Sequence, residues 1–182
     1  SVRPYMPAGV WNETTRYGDL RNYKHETGEG LYRRTMYTFW KRTAAPPSML
    51  LFDAPNREIC TMKRSRTNTP LQALSLLNEV TFVEAARKLA SRMLAPKGDS
   101  PDTRLRNGFR HTISRSPLPR ELSVLSKGLA EDLDYFKSNP DAASKLLQFG
   151  ESTPSEGDPA ELAAYTLAAN VLLNLDEFVT RE

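Results

Sequence analysis

The chain has 182 residues, a hydrophobic fraction of 39%, a charged fraction of 26% and a formal net charge of +3. That length can bury one substantial core, and the composition argues against wholesale disorder and against a helical membrane span, since no run of about 18 apolar residues occurs. A single cysteine, Cys60, excludes an internal disulfide and a CxxCH haem attachment, and the charge is uneven: residues 1–66 carry twelve Lys/Arg against six Asp/Glu, residues 67–182 thirteen against sixteen.

In chain order, residues 1–30 are punctuated by Pro4, Pro7, Gly9, Gly18, Gly28 and Gly30. They predict an irregular but ordered arm, pinned by Tyr5, Trp11, Tyr17 and Tyr23. From Leu31 to Arg42 the apolar residues Tyr32, Met36, Phe39 and Trp40 share one helical face, which predicts a helix. Two short apolar runs, Ser48 to Phe52 and Ile59 to Met62, flank an Asp53-Ala54-Pro55-Asn56 turn and allow either a small hairpin or an irregular loop.

After residue 66 four helix starts share one chemistry, a capping side chain followed by proline: Thr69-Pro70, Ser100-Pro101, Asn139-Pro140 and Asp158-Pro159. Proline at the first helical position sacrifices no hydrogen bond and has its φ preset, while the preceding side-chain oxygen accepts from free amides. Gln72 and Glu161 stand three residues after Thr69 and Asp158 and predict capping boxes. Leu71, Leu74 and Leu77, then Phe82, Ala86, Leu89 and Met93, then Leu105, Phe109 and Ile113 keep helical spacing, and a further helix from Pro119 carries Leu122, Leu125, Leu129, Leu133 and Phe136. Leu162 to Leu175 is apolar nearly all round, which predicts a buried central helix with Leu167, Val171, Leu172 and Leu175 in the core. The expected fold is all-α and bundle-like: a single helical domain over 1–182, divided into an arm with a basic and aromatic segment (1–66) and a helical core (67–182). Starting at Ser1 without an initiator Met or a signal-like stretch, the chain reads as a C-terminal fragment of something longer.

No catalytic constellation emerges. Cys60 lacks a nearby base, because His25 and His111 are remote in sequence, and no short-spaced ligand pair suits zinc, so neither catalytic nor metal-ligating residues are assigned. Asp53 and Glu58 could in principle do acid/base work, but loop-fastening ion pairs with Arg57, Lys63 or Arg64 are the preferred reading. What stands out is the segment Tyr32 to Arg66, where Arg33, Arg34, Lys41, Arg42, Lys63, Arg64 and Arg66 are interleaved with Tyr37 and Trp40. Such a cluster can contact an acidic partner or polymer through phosphate, sulfate or carboxylate groups. Alternatively it is structural, with the cations offsetting the acidic C-terminal two thirds.

Ser1-Val2-Arg3-Pro4-Tyr5, Tyr32-Arg33-Arg34, Tyr37-Thr38-Phe39-Trp40-Lys41-Arg42, Phe52-Asp53-Ala54-Pro55 with Arg57-Glu58, Thr67-Asn68-Thr69-Pro70-Leu71-Gln72-Ala73-Leu74 and Leu172-Leu173-Asn174-Leu175-Asp176-Glu177-Phe178 together resemble one family from end to end. It is the planctomycete-specific PSD-type domain, the C-terminal domain of unknown function of multidomain planctomycete cytochrome c-type proteins. The resemblance implies an extracytoplasmic protein, at the periplasm or cell surface, whose upstream domains carry c-type haem while this chain carries no cofactor. No catalytic residues carry over. The expected function is a non-catalytic module that supports or docks a neighbouring cytochrome domain. A sulfated-polysaccharide or polyanion binding module is the alternative, and a hydrolase half-site completed by upstream residues is third; no nucleic-acid partner and no transmembrane segment are expected.

Overall fold

Prolines mark the helix starts. In the computed structural model, which describes residues 1–7, 9–13, 23–41 and 44–180, Pro70, Pro101, Pro119, Pro140 and Pro159 each open a helix, and the fold is all-α. Among the described residues there is no strand or sheet beyond isolated bridges. These residues form two compact units, Ser1–Thr67 and Asn68–Glu182.

The second unit holds α3 (Pro70–Asn78), α4 (Val80–Leu94), α5 (Pro101–Ile113), α6 (Pro119–Ser138), α7 (Pro140–Leu147), α8 (Pro159–Leu173) and α9 (Asp176–Val179). Thr69 closes the expected box: its hydroxyl accepts from the Gln72 amide at 3.3 Å, and its own amide donates to Gln72 Oε1 at 2.9 Å. Ser100 and Asp158 accept from the amides of Thr103 and Ala160. Two expected caps do not form. The Asn139 side chain turns back to donate to the Tyr135 carbonyl, finishing α6 rather than starting α7. Glu161 is drawn to Arg104 of α5 at 2.7 Å, because an ion pair outcompetes the box with Asp158.

Helix α8 is the hub, packed by α3, α4, α5, α6 and α7. Ala163, Ala164, Ala168 and Ala169 are buried along it, and such small side chains let Leu89, Ala90 and Met93 of α4 and Leu122 and Leu129 of α6 join one core. Gly108 of α5 is part of the same close approach, since a Cβ there would lie 2.7 Å from the Met93 side chain. Of the residues expected at the centre, Leu172 is fully buried, Leu167 and Leu175 are half-buried, and Val171 is 47% exposed. The helix is flanked by six others, α9 included, but at its C-terminal end one side still meets water. Leu71, Leu74 and Leu77 of α3 are also exposed. The face of α3 turned inward carries Gln72 and Leu76 instead, and α8 ties that helix down as Asn170 and Asn174 donate to the carbonyls of Leu77 and Ala73.

Two charged residues of α4 are buried: Glu84 and Arg87, each about 2% exposed. Arg87 donates to the carbonyls of Leu147 (2.6 Å), Phe149 (2.8 Å) and Ser152 (2.6 Å), while Glu84 Oε1 accepts from the Ser152 amide at 2.6 Å. The pair clamps the connection between α7 and α8. Gly150, at φ +82°, passes so close that a Cβ would lie 2.2 Å from the Glu84 carboxyl carbon. At the surface, Arg115 grips two carboxylates with paired bonds, Glu121 at 2.8 and 2.9 Å and Glu177 at 2.6 and 2.8 Å, joining the α5–α6 turn to α6 and α9.

The first unit is built differently. It contains the short helices α1 (Val10–Glu13) and α2 (Pro47–Leu51) and two 3₁₀ turns, Gly28–Tyr32 and Thr35–Tyr37. The helix expected over Leu31 to Arg42 does not form. Val2 donates to the Tyr37 carbonyl at 2.8 Å and accepts from the Phe39 amide at 2.7 Å, so a segment from the arm takes the groups a helix would have used. Arg33 and Arg34 are correspondingly extended, and a helix this short needs tertiary packing to survive. The hairpin alternative also fails, because Ser48 to Leu51 lie in α2 and Ile59 to Met62 pair with no strand. Trp11 forms the centre of this unit. It is buried, donates from Nε1 to the Ala44 carbonyl at 2.9 Å, and meets Tyr23 and Phe39 edge-on. Tyr23 donates to the Pro4 carbonyl, and burial pushes its phenol up to about 12. Tyr5 packs on His25. Tyr17, another expected pin, lies outside the described residues.

Candidate docking surface

The basic and aromatic segment occupies the second half of the first unit, and its organiser is Asp53. Helix α2 ends at Leu51 with Phe52 as its C-cap, and Asp53 follows at φ +56°, in the left-handed region where Asp is among the better-tolerated non-glycine residues. Its carboxylate accepts from both the amide (3.0 Å) and the hydroxyl (2.6 Å) of Thr67, fourteen positions on. Arg64 folds back to the same neck, donating from Nε to the Asp53 carbonyl at 2.8 Å and from Nη2 to the Phe52 carbonyl. Residues 53–67 therefore form a closed Ω-shaped loop. Within it, Asn56 Oδ1 accepts from the Glu58 amide at 3.1 Å, and Arg57 between them is left-handed at φ +63°.

That turn aims Arg57 across the unit. Its guanidinium lies 4.9 Å from the Trp40 ring centroid and donates to the carbonyls of Thr35 (3.2 Å) and Thr38 (3.3 Å). Arg33 stacks similarly, 4.0 Å over the Tyr37 ring. One face of each aromatic is thus already taken by an arginine of this chain, a favourable cation–π arrangement. Of the ion pairs expected for Asp53 and Glu58 with Arg57, Lys63 or Arg64, those of Asp53 give way to bonds with Thr67, while Arg57 and Arg64 donate to backbone carbonyls, because the local turns bring those groups closer.

Of the nine residues singled out in the sequence, Arg33, Arg34, Tyr37, Lys63, Arg64 and Arg66 are exposed, while Trp40 and Lys41 are half-buried. Arg42 lies outside the described residues. Arg33, Tyr37 and Trp40 belong to the stacked strip that Arg57 completes. Lys63, Arg64, Ser65 and Arg66 line an open concavity of about 470 Å³. Three features escaped sequence reasoning: the strap role of Arg57, the hook made by Asp53 and Thr67, and the exposure of Ile59 and Met62 on the same loop. The only sequence signal for the loop was the turn chemistry of Asp53 to Asn56.

Among the described residues, no three His, Cys, Asp or Glu side chains are placed to hold a metal. Cys60 is a free, exposed thiol on the loop. No helix among them is long and apolar enough to cross a membrane. The surface therefore offers cations in an ordered frame, suited to binding carboxylate, sulfate or phosphate groups. Compared with known proteins, residues 1–129 match the family model described as PSD1, protein of unknown function (DUF1553). No curated protein and no solved structure matches the chain.

Proposed function

We propose, for a chain that belongs to the PSD1 family of proteins of unknown function, that it is a non-catalytic extracytoplasmic module that docks a neighbouring c-type cytochrome domain of a larger protein. The observation that carries this reading is the exposure of Arg34, Lys63 and Arg66 in the same unit in which Arg33 and Arg57 stack on aromatic rings. A fixed array of surface cations speeds and orients encounter with an acidic partner, as transient docking requires. Haem, in this reading, belongs to the partner and not to this chain.

The test is titration of the chain with the separately produced cytochrome domain at rising ionic strength. Binding should weaken steeply with salt, since exposed charges are screened over about 10 Å at 0.1 M. The combined variant Arg34→Glu, Lys63→Glu and Arg66→Glu should lose binding with its helicity unchanged. Arg64 is left in place because its side chain closes the loop. Wild-type protein that ignores the cytochrome domain at low salt would refute the proposal. A second reading, a module for sulfated polysaccharide, is supported by the cation-lined concavity of residues 63–66; heparin binding in place of cytochrome binding would select it.

A further inference from the structure

The loop closed by Asp53 and Thr67 spends its polar groups on the neck and turns apolar side chains outward at its tip. Ile59 is 73% exposed and Met62 fully exposed, at 103%. A lone exposed aliphatic side chain is ordinary. Two of them three positions apart, on a loop held shut by Thr67 and Arg64, are presented rather than merely left over. Flanking them in the sequence are Arg57, Lys63, Arg64 and Arg66 against the single acid Glu58, so residues 57–66 carry a charge of +3.

We infer that Ile59 and Met62 are the anchors of the docking surface, and that they seat in an apolar depression rimmed by carboxylates on the partner protein. This rests on the docking proposed above and names the chemistry of the partner's face. The apolar anchors supply burial, which persists in salt, and the cationic collar supplies orientation, which does not. A sulfated polysaccharide satisfies the collar but offers nothing for two aliphatic side chains, so the pairing of tip and collar favours a protein. Closure of the loop before binding lowers the ordering cost of association.

Cys60, the chain's single cysteine, lies between the two anchors and is exposed, so it accepts an environment-sensitive fluorophore without further substitution. The labelled chain is titrated with the cytochrome domain, with heparin, and with phosphatidylcholine vesicles containing phosphatidylserine. A blue shift on adding the cytochrome domain is expected, and Ile59→Ser with Met62→Ser should weaken binding by at least about tenfold, as loss of two seated anchors does. If Lys63→Glu with Arg66→Glu abolishes binding while the Ile59/Met62 variant binds like wild type, the inference falls and the docking proposal stands. If the wild type does not bind the domain at all, both fall. A blue shift with vesicles alone overturns the inference in favour of a lipid surface, and heparin binding without a blue shift overturns it in favour of a glycan.

Discussion

Over residues 68–180 most of the backbone is satisfied inside helices, and the core between those helices is mainly aliphatic and alanine, with Met93, Phe136 and Tyr165 among it. Between Ser1 and Thr67 the bonds reach across the sequence: Val2 to Tyr37 and Phe39, Tyr23 to Pro4, Trp11 to Ala44, Arg57 to Thr38, Thr67 to Asp53. Among its described residues, aromatic edges and guanidinium faces join the buried Val2, Pro46 and Met49 in filling that unit. Helices that bury an apolar stripe can be laid down one at a time and then packed. A unit knitted from distant segments is ordered only when its partners are already in place, so its stability is shared among a few long-range contacts. The helical unit uses the same device at a few points, among them Arg104–Glu161 and Arg115–Glu177, and buries it most deeply in the Glu84–Arg87 clamp.

Because the clamp is the buried one, it should produce the largest effect. Arg87→Met leaves Glu84 buried without its cation and three carbonyls without their donor, and is expected to cost about 3–5 kcal/mol in chemical denaturation. A small loss would mean that water replaces the guanidinium and that the helical unit rests on apolar packing alone. Next, Leu172→Ala should cost about 2–5 kcal/mol, because the side chain is fully buried in the hub helix. One position earlier, Val171→Ala should stay within about 0.5 kcal/mol. Equal losses at the two positions would contradict the one-sided burial of that end of α8.

The smallest effect is electrostatic. Paired bonds from Arg115 and the Leu118 amide hold the Glu121 carboxyl down, from the ordinary 4.5 to about 2, and Arg115 lowers Glu177 as well. A carboxylate with a depressed folded pKa stabilises above its unfolded value, and that contribution disappears as pH falls through the folded one. Stability of the second unit should therefore decline between about pH 4.5 and about pH 2. The Glu121→Gln variant should show a shallower decline when thermal unfolding is followed across that range, and an identical decline would assign the acid sensitivity elsewhere.

How much could be read in advance follows the same division. Thr69-Pro70, Ser100-Pro101 and Asp158-Pro159 announce helix starts because cap and proline act over three residues, a distance the sequence displays directly. The apparent helix over Leu31 to Arg42 misled because its spacing was right while its backbone partners, in Val2, lay some thirty-five residues upstream. Glu84 and Arg87 carry no local mark of burial; only the course of the loop after Leu147 reveals what they serve. In the docking surface the residue types were visible, since the cations and aromatics stand out in composition. Their division of labour was not. Arg57 against its ring and Arg64 at the neck follow from left-handed turns at Asp53 and Arg57 that no periodicity encodes.

The Arg87 clamp also bears on time. Its bonds join residues 60 to 65 positions apart, so the segment after α7 must be brought back onto α4 against the entropy of a long loop before they close. Arg87→Met is therefore expected to speed unfolding more than it slows folding, an outcome that a chevron plot of the variant reads directly. On that outcome the buried guanidinium governs the protein's lifetime against heat or proteases more than its speed of folding.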